Sequence, residues 1–307
     1  RFSLLVLIKL KFLDEERLEE QEFFIWEKGK VRTLRLKKKF NFKPIILIGF
    51  FFMQIKYYKY QSSGNSFVLI DNLNVKPLSN QVISKIISTN EVRDSDGLLL
   101  LYPSEKFDFK LIFFNPDGSK SFCGNGSICS VHYLKSKKLI KNQCSFQSYG
   151  KKYNAIIDPE IKIKMVDISK IKKINNGYFV NSGAPHYVKF VDDLNKVDII
   201  QEVTKIKSSE FYDNLPCNIN FIQKKNNLIY IRTFEKGVER ETLSCGTGAV
   251  ASSVVCSKIF EDNFPLIKAR GGDLRVNYKK KRDLFYDITL SSNPLMEYNS
   301  YLKIISS

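Results

Sequence analysis

A short motif, Cys-Gly-x-Gly, occurs twice in this 307-residue chain, at residues 123–126 and 245–248. Each copy follows a predicted strand and leads into a run rich in small residues, which is predicted to be a helix. One glycine-rich turn before a helix is weak evidence, but two copies in halves of similar size are typical of a duplicated domain. The sequence therefore predicts two related halves whose cysteines face each other across a cleft.

From Met53 onward, short apolar runs alternate with turns rich in glycine, asparagine and proline. Such runs are typical of strands, and helical composition follows Leu78 and both motif cysteines. The mixture predicts an α+β fold. The predicted strands lie at residues 66–71, 97–102, 110–115, 161–166, 187–191, 220–223 and 228–234.

Residues 1–52 differ in composition from the rest of the chain. An acidic, helix-prone run at residues 14–22 is followed by a strongly basic run at residues 28–43. The apolar run at residues 45–52 is far shorter than the roughly 20 residues that cross a bilayer, and no signal-cleavage site follows it. We predict that residues 1–52 are an N-terminal extension outside the fold, that residues 53–170 form the first half, and that residues 171–307 form the second.

The formal net charge of +17 suggests a nucleic-acid-binding protein as one alternative function. Its lysines are scattered along an asparagine-rich chain, however, and no arginine-rich stripe is present. Charge of this kind affects solubility and loose association rather than chemistry. We therefore expect no nucleic-acid partner, and this reading stays an alternative from a different functional class.

The chain contains six cysteines at irregular spacing and two histidines, His132 and His186. No CxxC pair occurs, so we predict neither a zinc site nor a disulfide framework. Cys129 follows Cys123 by six residues and would point to another face of the same helix, which disfavours a redox or metal pair. Most of the cysteines are interpreted as small buried apolar residues.

The two motif cysteines can carry chemistry. At a helix N-terminus, free N–H groups and the helix dipole favour negative charge, so a thiol there is expected to have a lowered pKa. The same N–H groups can bind a carboxylate. Two thiols on opposite faces of one carbon can remove an α-proton and deliver another. We predict that Cys123 and Cys245 are the paired acid and base of a cofactor-independent amino-acid epimerase.

The chain from Met53 to about Ile304 resembles the diaminopimelate epimerase family, and seven segments carry the resemblance in the order and spacing of the family. They are Ser-Gly-Asn-Ser-Phe at 63–67, Asn-Pro-Asp-Gly-Ser at 115–119, Cys-Gly-Asn-Gly at 123–126, Gly-Ala-Pro-His at 183–186, Asn-Ile-Asn-Phe at 218–221, Glu-Lys-Gly-Val at 235–238 and Glu-Thr-Leu-Ser-Cys-Gly-Thr-Gly at 241–248.

The resemblance implies two pseudo-symmetric halves, each a barrel-like β-sheet around a central helix, with the active site in the cleft between them. It implies an isomerase that converts LL-2,6-diaminopimelate to the meso form in bacterial lysine and peptidoglycan precursor synthesis. No cofactor, metal or membrane is implied, and the protein would be a cytoplasmic homodimer. A proline or hydroxyproline racemase of the same fold is the nearer alternative.

The resemblance also implies roles for individual residues. Cys123 and Cys245 match the two acid and base thiols. The backbone amides that match the α-carboxylate site are those of Gly124, Asn125, Gly246 and Thr247. The side chains that match substrate-binding positions are Asn65, Asn115 and Asn218. The two groups that match positions beside the reacting carbon are His186 and Glu235.

Three departures from the family concern the distal end of the substrate. Ala184 stands where the family often has asparagine, and Lys236 stands where it usually has arginine, so a bidentate carboxylate contact is lost. An extra residue between Glu235 and Cys245 makes Arg240 a second candidate cation. The sequence leaves open whether Lys236 or Arg240 meets the distal carboxylate.

Overall fold

The structure is a computed structural model, and it describes residues 5–8, 21–27, 30–36, 51–75 and 77–306. The chain forms two compact units, one made of Arg1–Ile55 with Tyr301–Ser307 and the other of Lys56–Ser300. In the first unit, three antiparallel strands form a sheet in chain order. They are β1 (Leu5–Ile8), β2 (Gln21–Glu27) and β3 (Lys30–Leu36).

Part of the predicted N-terminal pattern lies outside the described residues, namely 14–20, 28–29, 37–43 and 45–50. The helix predicted over residues 14–22 is wrong at its end, because Gln21 and Glu22 belong to β2, which is rich in the aromatic residues that favour a strand. The boundaries of the extension and of the two halves stay predictions.

The first half consists of a mixed sheet around one helix. Its β5–β6 and β7–β9 pairs are parallel, and its other neighbouring strands are antiparallel. The elements are β4 (Phe51–Ser62), β5 (Asn65–Asp71), α1 (Asn80–Ile87), α2 (Asn90–Arg93), β6 (Gly97–Tyr102), β7 (Phe109–Phe114), β8 (Lys120–Ser121), α3 (Gly124–Ser136), β9 (Gln143–Ser148), β10 (Lys151–Ile157) and β11 (Ile161–Lys164).

The second half repeats this arrangement, with parallel β14–β15 and β16–β18 pairs and antiparallel neighbours otherwise. The elements are β12 (Ile171–Ile174), β13 (Gly177–Asn181), β14 (Pro185–Phe190), a 3-10 turn (Leu194–Lys196), α4 (Ile199–Lys207), α5 (Glu210–Asn214), β15 (Asn218–Lys225), β16 (Leu228–Glu235), β17 (Arg240–Thr242), α6 (Gly246–Phe260), β18 (Leu266–Ala269), β19 (Gly272–Lys281), β20 (Leu284–Ser291) and β21 (Pro294–Ser306).

The helix that follows each motif lies at the centre of its half. α3 packs against β5, β6, β7 and β11, whereas α6 packs against β13 to β16 and against β19 and β20. Both helices are buried over most of their length, which fits residues that are small or apolar on every side. The predicted α+β fold with two pseudo-symmetric halves, each a barrel-like sheet around a central helix, is confirmed.

The two halves meet where their last equivalent strands pair. β11 and β20 are antiparallel, and Ile163 lies opposite Leu290 at the centre of the pairing. Both side chains are fully buried in the core that the halves share. This junction holds the starts of α3 and α6 close together, as described below.

The predicted strands are all present, with small shifts at their ends. The strand predicted over 110–115 ends at Phe114 because Asn115 turns away, its N–H donating to the Ser119 carbonyl over 2.8 Å. All six cysteines are free thiols, and Cys129, Cys144, Cys217 and Cys256 are buried, which confirms their interpretation as small core residues. No helix in the described part of the chain is long and apolar enough to cross a membrane.

Candidate active site

Both copies of the motif open into one cleft with a volume of about 500 Å³. Residues of both halves line it, and Cys123 and Cys245 are among them. Each cysteine is the N-cap of its helix, with extended backbone angles, Cys123 for α3 and Cys245 for α6. The fold therefore brings the two motifs together at one cleft, as predicted.

The glycine after each cysteine is required by a close approach. A Cβ atom on Gly124 would lie 2.7 Å from Cδ2 of Leu290, and a Cβ atom on Gly246 would lie 2.7 Å from the same atom. Both distances are far inside van der Waals contact, so a side chain at either position would have to displace the buried side chain of Leu290. The paired glycines thus allow both helix N-termini to approach one residue of β20.

Both thiols have a pKa above the ordinary range. Burial raises the pKa of Cys123 to about 12, although the Gly126 N–H, 3.3 Å from Sγ, acts in the opposite direction. Burial also raises the pKa of Cys245 well above its usual value, and the neighbouring Glu235 carboxylate adds to this. The lowered thiol pKa expected from the sequence is wrong for this structure, because the cost of burying a thiolate outweighs the helix N-terminal donors.

Polar side chains surround Cys245 on the second-half side. Its Sγ lies 3.6 Å from Thr247 Oγ1, which lies 2.8 Å from His186 Nε2. The imidazole is fully buried, and burial lowers the pKa of His186 to about 3, so the ring is neutral at physiological pH. Asn218 Nδ2 lies 3.4 Å from the same ring nitrogen.

Glu235 lies at the end of β16, within electrostatic reach of both thiols. Its Oε1 accepts a 2.6 Å hydrogen bond from Thr242 Oγ1. Burial raises the pKa of Glu235 to about 7, and the hydrogen bond only partly offsets this effect. The group can therefore gain or lose a proton near neutral pH, which suits a residue beside an acid and base pair.

Amide groups surround the start of α3 on the first-half side. Asn125 Nδ2 donates to Asn65 Oδ1 over 2.7 Å and to Ser244 Oγ over 3.1 Å. Asn65 Nδ2 in turn donates to Asp96 Oδ2 over 3.2 Å. Asn125 Oδ1 is buried and has no hydrogen-bond partner among the described residues. These contacts link the starts of both helices through side chains.

The two candidate cations for the distal carboxylate have different surroundings. Lys236 is exposed and lines the cleft, and its ammonium has no hydrogen-bond or ion-pair partner among the residues that the structure describes. Arg240 is absent from the cleft lining, and its Nη2 is paired with Asp96 Oδ1 at 2.8 Å. Asn218 Oδ1 accepts a 2.9 Å bond from the Lys236 N–H, and Asn115 Nδ2 donates to Ser119 Oγ over 2.9 Å.

Most of the residues predicted from the sequence line the cleft directly. Asn125 and His186 do not, because both lie behind the lining and are fully buried. The predicted residues that line the cleft are Cys123, Cys245, Asn65, Asn115, Gly124, Asn218, Glu235, Lys236, Gly246 and Thr247. The individual roles of these residues stay predictions.

Sequence reasoning missed several polar residues of the site. Asp96 lines the cleft, Thr242 holds Glu235, and Asn220 lies 3.0 Å from the His186 ring. The position of Asp96, directly before a predicted strand, was the one available signal, because strand ends are frequent places for functional side chains. In the described residues, no group of three or more His, Cys, Asp or Glu side chains is placed to hold a metal ion.

The sequence matches a family model and curated proteins over most of its length. The family model described as diaminopimelate epimerase matches residues 57–169 and 178–289, one match in each half. A curated diaminopimelate epimerase of Flavobacterium psychrophilum is 36% identical over 244 residues, which cover 77% of this chain and 95% of the relative.

Solved structures show the same fold at much lower identity. A PhzF-family phenazine biosynthesis protein of Bacillus anthracis matches with a TM-score of 0.65 at 13% identity, covering 81% of this chain and 99% of its own. A hydroxyproline epimerase of Agrobacterium vitis matches with a TM-score of 0.63 at 12% identity, covering 82% and 93%. At such identities the likeness concerns the fold, whereas the family follows from the sequence matches. The chain belongs to the diaminopimelate epimerase family.

Proposed function

We propose that this protein is an isomerase that converts LL-2,6-diaminopimelate to the meso isomer, with Cys123 and Cys245 as its acid and base. The observation that carries the proposal is the pair of cysteines, each at the start of a central helix, that line one cleft. Membership of the diaminopimelate epimerase family supports this substrate and its place in lysine biosynthesis.

The reaction exchanges one proton for another at the α-carbon. One cysteine, as thiolate, removes the α-proton, and the other, as thiol, delivers a proton to the opposite face. Both thiols have a raised pKa, so the thiolate must form when substrate enters. The α-ammonium of the substrate is positively charged, and a positive charge beside a thiol favours its ionised form. A thiolate with a high pKa is also a stronger base once it exists.

The α-carboxylate is the second feature that the cleft has to bind. The first N–H groups of a helix have no partner within the helix, and the helix dipole favours an anion there. We assign the backbone amides of Gly124, Asn125, Gly246 and Thr247 to this carboxylate. Donors from two helices would stabilise the negative charge that develops as the α-proton leaves, which is the main demand of this chemistry.

The distal end of the substrate carries a second ammonium and a second carboxylate, which need polar partners when they leave water. We assign Asn65, Asn115 and Asn218 to this end, with the unpaired Lys236 as the cation for the carboxylate. A proline or hydroxyproline racemase would need a small apolar pocket at this place. The amides and the ammonium along this part of the cleft favour diaminopimelate.

The remaining assignments rest on the family. We propose a homodimer in the bacterial cytoplasm that acts on a small amino acid and requires neither a cofactor nor a metal. Nucleic acid and membrane are not among its proposed partners. We place Glu235 beside the reacting carbon, where it would orient the α-amino group. The place predicted for His186 beside that carbon is corrected, because His186 is buried behind the cleft lining and can act only through Thr247.

The test is proton exchange in heavy water without added pyridoxal phosphate or metal. The protein should incorporate deuterium at the α-carbon of LL-diaminopimelate, measured by NMR, and produce the meso isomer, measured by chiral chromatography. L-proline, trans-4-hydroxy-L-proline and L-lysine serve as competitors. A site built to hydrogen-bond a group can reject analogues that lack it by roughly 10⁴-fold. Comparable rates on proline and on LL-diaminopimelate would contradict the assignment.

A further inference from the structure

Behind the cleft, the side-chain amide of Asn220 contacts the buried ring of His186. Asn220 lies on β15 and is fully buried. Its Nδ2 is 3.0 Å from His186 Nδ1 and 3.2 Å from the Tyr187 carbonyl oxygen. Its Oδ1 accepts a 3.0 Å bond from Thr233 Oγ1. Asn220 does not line the cleft, so any effect on the reaction passes through its neighbours.

The surroundings of Asn220 determine which way its amide points. A carbonyl oxygen only accepts hydrogen bonds, so the Asn220 atom that faces the Tyr187 carbonyl has to be the NH₂ group. The same NH₂ group faces His186 Nδ1, and therefore donates its second hydrogen there. A ring nitrogen that accepts a hydrogen bond carries no proton itself. Since the imidazole is neutral, its single proton lies on Nε2.

We propose that Asn220 is a positioning residue that holds His186 in the form protonated on Nε2, and that Thr247 consequently donates its hydroxyl hydrogen to Cys245 Sγ. The step between them is the 2.8 Å contact from His186 Nε2 to Thr247 Oγ1. When Nε2–H occupies one lone pair of the hydroxyl oxygen, the hydroxyl hydrogen is free for the sulfur 3.6 Å away. A donor aimed at sulfur favours the thiolate form that the proposed reaction needs.

The opposite arrangement leaves unfavourable contacts. If the proton were on Nδ1, an N–H would face the Asn220 NH₂ group at 3.0 Å. Rotating the amide would relieve that contact, but Oδ1 would then face the Tyr187 carbonyl oxygen at 3.2 Å. Either pairing of like groups in a buried place costs free energy, because neither partner can turn to water.

Asn218 makes a second, longer contact with the His186 ring. Its Oδ1 accepts from the Lys236 N–H, so its NH₂ group is the part that faces His186 Nε2 at 3.4 Å. With the proton on Nε2, this contact forms no hydrogen bond, whereas a bare Nε2 would accept one there. It is longer and therefore weaker than the 3.0 Å contact with Asn220, which determines the form of the ring. The hydrogens of Asn218 therefore remain available to the cleft, which this residue lines.

The second glycine of the motif makes room for Asn220. A Cβ atom on Gly248 would lie 2.5 Å from Asn220 Oδ1, so any side chain there would displace the amide. At the corresponding place in the first half, a Cβ atom on Gly126 would lie 2.7 Å from Cδ2 of Leu99. Gly126 and Gly248 are equivalent in the repeat, but Gly126 approaches an apolar side chain whereas Gly248 approaches an amide.

The test uses the fact that the chain has two histidines, so nitrogen-15 labelling of histidine gives few signals. His132→Gln assigns the spectrum. In the wild-type protein, His186 should show a protonated Nε2 and a bare Nδ1 that accepts a hydrogen bond. This measurement needs no substrate, so it stands apart from the proposed reaction. A proton on Nδ1 of His186 would overturn the proposal whatever the enzymatic activity.

Asn220→Asp tests the positioning role, because it keeps the shape and replaces both amide hydrogens by an acceptor. The His186 proton should move to Nδ1, and kcat for LL-diaminopimelate should fall on the order of 100-fold, as expected when an imidazole is held in the wrong form. KM should change by less than about twofold, because the substrate contacts are intact. An unchanged proton position, or an unchanged kcat after the proton has moved, would overturn the proposal.

Thr247→Val tests the contact between His186 and Cys245 and does not depend on whether Asn220→Asp folds. The variant lacks the hydroxyl, so kcat should fall by a similar factor while His186 keeps its proton on Nε2. Asn72→Leu is the matched control, since it removes a buried amide that is absent from the cleft lining. It should change neither the spectrum nor kcat. A wild-type kcat in Thr247→Val would overturn the proposal that Thr247 connects His186 to Cys245.

Discussion

The two motif copies have the same backbone arrangement but different side chains around it. Each cysteine caps a buried helix, and each first glycine packs against Leu290. Beneath the second glycine, however, the first half has Leu99 and the second half has Asn220. Both halves have thus kept the backbone arrangement that places a thiol at the start of a helix. The side chains around the two thiols, in contrast, have diverged.

The divergence extends outward from the two thiols. Next to Cys123, the rings of Phe122 and Tyr153 are stacked with centroids 4.1 Å apart. Next to Cys245 lie the hydroxyl of Thr247 and the carboxyl of Glu235. Acid and base in an epimerase must exchange roles with the direction of the reaction. The structure indicates that two thiols need not have identical environments to do so.

The largest expected effect comes from removing either thiol. Cys123→Ala and Cys245→Ala should each lower kcat for LL-diaminopimelate by at least about 10³-fold, because one proton transfer then lacks its group. Initial rates of meso isomer formation measure the effect. If the unequal surroundings meant unequal roles, one variant would retain nearly full activity, and the two-thiol mechanism would be wrong.

Cys144→Ala is the control for this experiment. Cys144 is a buried free thiol on β9 outside the cleft lining. Its substitution should leave kcat and KM close to the wild-type values. A large loss in this variant would mean that removing any buried thiol damages the fold, so that the first two variants would carry no mechanistic information.

A smaller effect should separate the two candidate cations, which both come from the second half. Lys236→Ala should raise KM for LL-diaminopimelate by about 10- to 100-fold, since a charged partner of the distal carboxylate contributes about 1.5–3 kcal/mol. Arg240→Ala should raise it by less than about fivefold, because exposed ion pairs contribute about 0.2–1 kcal/mol. Steady-state kinetics measure both. The reverse order would assign Arg240 to the distal carboxylate.

The sequence was informative wherever backbone geometry determines residue type. Cysteine at a helix start and glycine at a close approach both leave a readable pattern, so the duplicated fold and the cleft followed from the two motifs. Strands with an uninterrupted apolar run, such as Gly97–Tyr102, were also predicted. Several other strands were missed, and β10 and β19 are examples in which the outward residues are mostly lysine and asparagine.

Contacts made by side chains far apart in sequence were beyond prediction. The thiol pKa was expected to fall because the helix start is a local feature, whereas the burial that raises it depends on the whole fold. Asn220 follows Asn218 by two residues on one strand, and the sequence offered no way to tell which amide faces the cleft. The parallel pairing of β14 with β15 places Asn220 beside His186.

Alkylation should show the difference in exposure between the two thiols. Cys123 is partly exposed, whereas Cys245 is 5% exposed, so iodoacetamide should modify Cys123 several-fold faster. The rate at Cys123 should continue to rise with pH beyond 9.0, the ordinary thiol value, because its pKa is raised to about 12. Peptide mapping measures the rates, and Cys123→Ala is the control. Faster reaction at Cys245 would contradict the exposures.

Glu235 has no charged counterpart in the first half. Strand register places Asn115 at the equivalent position, since Phe114 lies opposite Leu98 and Phe234 lies opposite Ile219. The pKa of Glu235 rises from 4.5 to about 7 in the folded protein, mainly through burial. Between these values the folded state binds the proton and the unfolded state releases it. The contribution of Glu235 to the free energy of unfolding should therefore decline as pH rises from about 4.5 to about 7.

Urea unfolding of the wild-type protein and of Glu235→Gln at several pH values measures this contribution. Their difference in unfolding free energy should shift against the wild type across that window and become constant above it, because glutamine does not titrate. Glu105→Gln, at an exposed position, is the matched control and should show no such shift. A wild-type protein that gained stability over Glu235→Gln as pH rose would mean that a partner holds Glu235 ionised. The carboxyl would then act as a fixed charge beside Cys245, and the two sides of the cleft would differ in charge rather than in proton affinity.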